Sequence, residues 1–224
     1  MTISSPIRGL SASLADFVPP GRECPLCPRL VALRGELRLA QPDWHNAPVP
    51  SFGPLDAPLL IVGLAPGLNG ANRTGRPFTG DYAGALLYTT LLKFGLAKGT
   101  YGADPGDGLT LTGCRITNAV RCLPPENKPT TEEARSCGRF LVDEIAAMPK
   151  LRAVLALGAI AHGAVLTSLA VKKSSAPFRH GARYQLTEGL ILADSYHCSR
   201  YNTNTGRLTE AMFHQVFAEV LFVL

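Results

Sequence analysis

The chain has 224 residues, 46% of them hydrophobic and 17% charged, which is enough apolar material to bury a full core as one domain. Its 22 Lys and Arg outnumber its 17 Asp and Glu to leave a net charge of +5, a mild cationic excess that suits a polyanionic partner without requiring one. No window approaches the roughly 20 apolar residues of a membrane span, and the N-terminus lacks a basic start followed by a long apolar run, so membrane and secreted classes are set aside and a soluble, cytoplasmic protein is expected.

Residues 1–20 are rich in Ser and Pro with one Arg and one Asp; a frayed terminal segment is expected there in preference to a transit peptide, with a single domain over 21–224. Cys24-Pro25-Leu26-Cys27 then opens a helical pattern, with Leu26, Leu30 and Leu33 on one face and basic residues on the other. The first pair of thiols therefore sits at a helix start. Four aliphatic runs follow, Leu59 to Gly63, Arg115 to Val120, Ala153 to Gly158 and Leu190 to Ser195, and these read as buried parallel strands. Helical segments lie between and after them, near Ala83 to Phe94, Thr130 to Met148, Ala159 to Leu169 and Thr209 to Leu224. Such alternation predicts a three-layer αβα sandwich, in which ligands bind outside the carboxyl ends of the strands.

The residues after the first strand are the most informative. Gly63 to Asp81 contains five glycines, two arginines, two asparagines, one aromatic residue and a closing carboxylate, a combination that can bring backbone close to a phosphate and a planar ring. Cysteine spacing adds a second signal. Six cysteines in a chain without a secretion signal point to metal or redox chemistry, because the cytosol keeps thiols reduced. The C-x-x-C pair Cys24 and Cys27 can join Cys122, after the second strand, and Cys137, on the next helix. Four cysteines suit Zn²⁺ or an iron–sulfur cluster equally well on spacing alone, and buried structural thiols are the third alternative, which fits Cys114 and Cys198 better.

Three strand-end segments form a recognisable set: GLAPG…NRTGRPFTGD over Gly63 to Asp81, then Ile116 to Thr130, then SYHCSRYNTNTGRLT over Ser195 to Thr209. Together they resemble the uracil-DNA glycosylase superfamily, and within it the type-five branch, over roughly Cys24 to the C-terminus. The resemblance implies a central four-stranded parallel sheet, a [4Fe-4S] cluster on Cys24, Cys27, Cys122 and Cys137, and hydrolytic excision of uracil from DNA to leave an abasic site. It also implies a DNA partner containing deaminated bases, with hypoxanthine, xanthine and ethenocytosine as further substrates; a monomer is expected.

Site roles follow from the same motifs. The position after the first glycine is Leu64, which has no polar group for catalysis, so the resemblance places the catalytic carboxylate on Asp81. One carboxylate can stabilise an oxocarbenium-like sugar or orient the attacking water; its plainer role is a helix cap, and the two can coexist. His197 carries over as the donor to the base carbonyl, a task a neutral imidazole can perform. Asn127 matches a position beside the scissile bond, although it also suits a turn before Lys128-Pro129. Phe78 is expected to stack on the extruded base, with Gly63, Leu64 and Ala65 forming the wall of its pocket.

Asn118 can read a pyrimidine edge with its amide or serve as a core residue bonded to backbone. Asn72, Arg73, Arg200, Asn204, Thr205 and Arg207 are candidates for DNA contact, with Arg76, Lys172, Lys173, Arg179 and Arg183 as further phosphate candidates against the default of scattered surface cations. No lysine nucleophile is evident, so water is the expected acceptor. A non-catalytic binder of damaged DNA and a redox sensor built on the cluster are the rival classes. The segment from Gly67 to Asp81 has no basic, histidine-bearing insertion, which counts against the binder.

Overall fold

The computed structural model describes residues 17–224, so the frayed segment expected over 1–20 lies outside the described residues as far as position 16. The described elements are α1 (Pro28–Ala40), β1 (Leu59–Gly63), α2 (Ala71–Thr74), α3 (Tyr82–Lys93), β2 (Ala97–Lys98), β3 (Thr110–Leu111), β4 (Cys114–Asn118), α4 (Thr131–Ala146), β5 (Ala153–Leu157), α5 (Ala159–Ser168), β6 (Arg183–Thr187), β7 (Leu190–Ser195), α6 (Arg200–Asn204) and α7 (Glu210–Leu221).

The four anticipated strands are parallel and adjacent in the order β4-β1-β5-β7. The sheet has a fifth member, because β6 pairs antiparallel with β7 at the edge. That strand follows from the alternation Arg183-Tyr184-Gln185-Leu186-Thr187 and the Glu188-Gly189 turn to β7, a half-exposed pattern unlike the all-buried runs of β1, β4 and β5. A small antiparallel pair, β2 with β3, lies apart from the main sheet.

Alternate residues of each central strand feed two cores, as pleating requires. Leu59, Ile61 and Leu155 join Leu87, Leu91, Phe213 and Phe217 beneath α3 and α7; Leu60, Val62 and Val154 join Leu141, Val165 and Leu166 beneath α4 and α5. These are the outer layers of the expected sandwich. β1 connects through α3 to β4 on one side, whereas β4 returns across it through α4 to β5. The sheet order therefore reverses beside β1, and the carboxyl ends of the strands open a crevice there.

α1 lies outside the two cores. Leu30 packs with Val120 and Cys137 in a third small cluster, and the Arg29 guanidinium donates to both Glu133 oxygens of α4 at 2.8 and 2.7 Å. Glu133 in turn closes a capping box with Thr130, which fixes the start of α4 where the sequence places it. The basic face expected on α1 is not uniform: Arg34 is buried and turned toward the thiols. Among the described residues no helix is long and apolar enough to cross a membrane.

Candidate active site

The loop after β1 is folded back on itself by short-range bonds. Asn72 and Thr74 donate backbone N–H groups to the Gly67 and Gly70 carbonyls, and α2 closes a single turn before the chain reaches Phe78. Phe78 has a left-handed φ of +53°, a strained state for an aromatic residue and one found where surrounding contacts impose it. Its carbonyl accepts from the Tyr101 hydroxyl at 3.3 Å. Just upstream, Arg76 is buried and donates to both Asp107 oxygens at 2.8 and 2.7 Å, while lying against Phe52, Tyr88 and Tyr101. Arg76 is therefore removed from the phosphate candidates; its charge is consumed in fixing the strained segment.

Asp81 caps α3, accepting the Gly84 N–H on Oδ1 at 3.0 Å. The other oxygen, Oδ2, lies against the Gly67–Gly70 turn, where a Cβ at Gly70 would stand 2.5 Å from it, so glycine is required for the carboxylate to occupy this place. The cap and a free oxygen coexist in one side chain. Across the crevice, directly after β7, the His197 ring stacks on Phe78 with centroids 5.9 Å apart and planes 27° from parallel. Its carbonyl is held by the Asn202 amide at 2.8 Å. Burial pushes the His197 pKa below its ordinary 6.5, partly opposed by the Asp81 carboxylate, so the imidazole is neutral at physiological pH.

Asn118 ends β4 opposite Gly63 in register and is buried. A Cβ on Gly63 would collide with the Asn118 Oδ1 and stand 2.6 Å from the Phe78 ring, so this glycine lets ring and amide meet over the strand end. Asn127 follows Glu126, both with left-handed φ, at +57° and +53°, and the pair turns the loop after β4 back toward the crevice.

Asp81, His197, Phe78, Asn118, Asn127, Leu64 and Ala65 all line one cleft of about 580 Å³, within the range of small-ligand sites. Tyr82, Ser199 and Leu68 also line it, although none stands out in the sequence. The signal for Tyr82 is its place directly after Asp81 with 41% of its surface exposed.

The candidate DNA contacts divide. Arg73 is exposed beside the cleft, its Nε donating to the Asn69 carbonyl. Arg200 lines the mouth with its guanidinium over the Tyr82 ring at 5.3 Å, and Arg207 lies over the Tyr196 ring at 4.5 Å. Asn204 and Thr205 are exposed at the end of α6, a short helix where the sequence suggested an open loop. Asn72 is the correction: it is 3% exposed and its amide donates to Asn46 Oδ1 at 2.9 Å, which makes it a brace between the first motif and the segment after α1, out of reach of DNA. Of the remaining cations Lys172, Lys173 and Arg179 are exposed, and Arg183 pairs with Glu219 at 3.7 Å.

A second cavity lies between α1, the segment after β4 and α4. Cys24, Cys27, Cys122 and Cys137 all line it, together with Arg34 and Leu30. Burial first, then the neighbouring thiols, push Cys27 up to about 11 and Cys122 up to about 12, so these groups stay protonated at neutral pH unless a metal takes the proton's place. Among the described residues no three His, Cys, Asp or Glu side chains are grouped as ligands of one ion. Cys114 and Cys198 are buried apart from this cavity, the latter with its thiol directed at the Ala83 carbonyl. The remaining histidines serve structure: the buried His162 bridges Asp194 and the Ala176 carbonyl, His45 contacts the Pro48 carbonyl, His180 accepts the Tyr196 N–H and His214 meets Lys93.

Comparison with known proteins gives a consistent result. The family described as the uracil DNA glycosylase superfamily matches residues 50–221. A protein of Thermus thermophilus named type-5 uracil-DNA glycosylase is 50% identical over 209 residues, covering 91% of this chain and 94% of its own length. Proteins of the same name from Mycobacterium leprae, 43% identical over 88% of this chain and 89% of their own length, and from Pyrobaculum aerophilum, 41% identical over 92% and 89%, are also similar to it.

Proposed function

This chain belongs to the uracil-DNA glycosylase superfamily, and on that premise we propose that it excises uracil from DNA by hydrolysing the N-glycosidic bond, leaving an abasic site, as the names of its type-5 relatives describe. The observation that carries this reading is the convergence of Asp81, His197, Phe78 and Asn118 in one cleft at the strand ends. A carboxylate with one uncommitted oxygen, a neutral imidazole, an aromatic face and an amide are the groups that release of a flipped base needs. We take residues 21–224 as one domain acting as a monomer in the cytoplasm.

The nucleotide leaves the stack because its C1′ atom is out of reach inside a duplex. The base then enters against the Phe78 face, and the Asn118 amide pairs with donor and acceptor on the pyrimidine edge. As the C1′–N1 bond breaks, its electron pair departs with the base and positive charge develops on the sugar. Asp81 Oδ2 stabilises that charge and directs water to C1′, while the Asn127 amide stands beside the reacting bond. His197 donates an N–H to the base carbonyl as negative charge grows on it. The water oxygen ends on C1′, one water proton passes to solvent, and the base is protonated by solvent after departure. Arg73, Arg200, Asn204, Thr205 and Arg207 hold the flanking backbone. Hypoxanthine, xanthine and ethenocytosine are further candidate substrates, with Asn118 favouring uracil among them.

The four thiols fit a [4Fe-4S] cluster as a donor set. All four cysteines line one cavity, and four thiolates are a donor set on which each sulfur can bind a different iron of such a cluster. Cys24 and Cys27 at the start of α1, Cys122 after β4 and Cys137 on α4 would hold the cluster, which would tie these three elements together; base release uses none of it.

The test is base release from oligonucleotides carrying uracil, hypoxanthine, xanthine or ethenocytosine, with wild type beside Asp81→Ala and His197→Ala. Uracil release by wild type and losses of about 100-fold or more in both variants are expected. DNA binding without release by wild type would instead favour the non-catalytic binder.

A further inference from the structure

Among the described residues four arginines are buried: Arg34, Arg76, Arg115 and Arg121. Three have carboxylate partners, Arg76 with Asp107 and both Arg115 and Arg121 with Glu144. Arg34, only 6% exposed, has no carboxylate at ion-pair distance; the acid that feels its charge, Glu23, is exposed and pairs with Arg38 at 2.8 Å. Its Nη2 donates to the Cys24 carbonyl at 3.1 Å, and its Nη1 approaches the Cys122 sulfur at 3.9 Å. No carboxylate lines the cavity that Arg34 shares with the four thiols. An interior guanidinium whose contacts are one carbonyl and one sulfur, with no carboxylate paired to it, is poorly compensated.

We propose that the counter-ion of Arg34 is the thiolate-ligated cluster, so that Arg34 is a positioning residue for the cofactor: it offsets the cluster's negative charge and directs an N–H at the Cys122 sulfur. This rests on the cluster reading given above. Four thiolates outweigh the positive charge of a [4Fe-4S] core, so the bound group is an anion of the sign Arg34 lacks. One-electron reduction adds negative charge to it, and a nearby cation favours the reduced form, so Arg34 raises the reduction potential. It also makes cluster retention depend on a residue that is not a ligand.

The experiment compares full-length wild type, Arg34→Met and Arg34→Lys, with iron and acid-labile sulfide measured first. On cluster-bearing protein, film voltammetry should show a more negative potential in Arg34→Met and a value nearer wild type in Arg34→Lys, which keeps the charge. Loss of visible absorption under a chelator should be roughly 10-fold or more faster in Arg34→Met. Melting temperatures supply a sign test: Arg34→Met should lower that of the cluster-bearing protein and raise that of the cluster-free protein, where the guanidinium is poorly compensated. An ordinary packing role lowers both.

Wild type that binds iron and sulfide while Arg34→Met shows unchanged potential, lifetime and melting order overturns this inference and leaves the cluster reading standing. Wild type without iron and sulfide overturns both. Should Arg34→Met fail to fold, Arg34→Lys decides through its chelator lifetime, because a compact ammonium cannot reproduce the planar N–H contacts to Cys24 and Cys122: a shortened lifetime supports the inference and an unchanged one overturns it.

Discussion

At the scale of single residues, the site depends on side chains that carry two tasks at once. Asp81 caps a helix with one oxygen and presents the other to the cleft. Phe78 accepts a strained backbone so that its ring lies between Gly63 and His197. His197 gives the clearest pH signature. Burial lowers its pKa below the ordinary 6.5, so between those two values the unfolded chain binds more protons and stability rises with pH. The contribution is complete above 6.5 and is lost as pH falls through the lowered folded value. Denaturation midpoints from about pH 5 to 8 should therefore fall more steeply toward acid in wild type than in His197→Asn; parallel curves would show that His197 is not held neutral by the fold.

At the scale of elements, α4 is bound to β4 and the segment after it by a charged network that no sequence period announces. Glu144 is fully buried; its two oxygens accept from Arg115 and Arg121, each at 2.5 Å, and from Thr117 at 2.9 Å. Burial works to raise the Glu144 pKa, but Arg121 and Arg115 more than offset it and hold the carboxyl below its usual range. Arg121 immediately precedes Cys122, and its N–H is directed at the Cys137 sulfur at 3.3 Å, so the same network aims two thiols at one cavity. Glu144→Gln leaves two interior guanidiniums without a full counter-charge. A loss of about 3–5 kcal/mol in denaturant unfolding is expected. A loss below about 1 kcal/mol would mean that the helix is held by packing alone.

At the scale of the whole molecule, α1 is an appendage to the sandwich, held by the small cluster around Leu30, by Arg29 on Glu133 and by Arg38 on the Asn46 carbonyl. A cluster on the four cysteines would be its strongest tie, because two of the ligands lie at its start. Limited tryptic digestion should therefore spare Arg29, Arg34 and Arg38 in the cluster-bearing protein and cut there after cluster removal, with the sheet left intact. Equal cleavage in both states would show that the protein contacts alone secure α1.

Local chemistry made much of this protein legible in its sequence. Four aliphatic runs define β1, β4, β5 and β7 within a residue or two, Thr130 and Glu133 mark the start of α4, and the glycine-rich segment after β1 announces a site at a strand end. Cysteine spacing likewise picks out the four thiols. These features depend on periodicity, capping and steric freedom, all properties of short stretches of chain. Tertiary structure decided which way the polar side chains turn: Arg34 and Arg76 inward, Asn72 onto Asn46, Arg115 and Arg121 onto a common Glu144, and β6 onto the sheet edge. The reason is physical. A buried charge is stable only beside a partner that the fold brings from far along the chain, and nothing within a few residues of Arg34 or Arg121 encodes which partner that is.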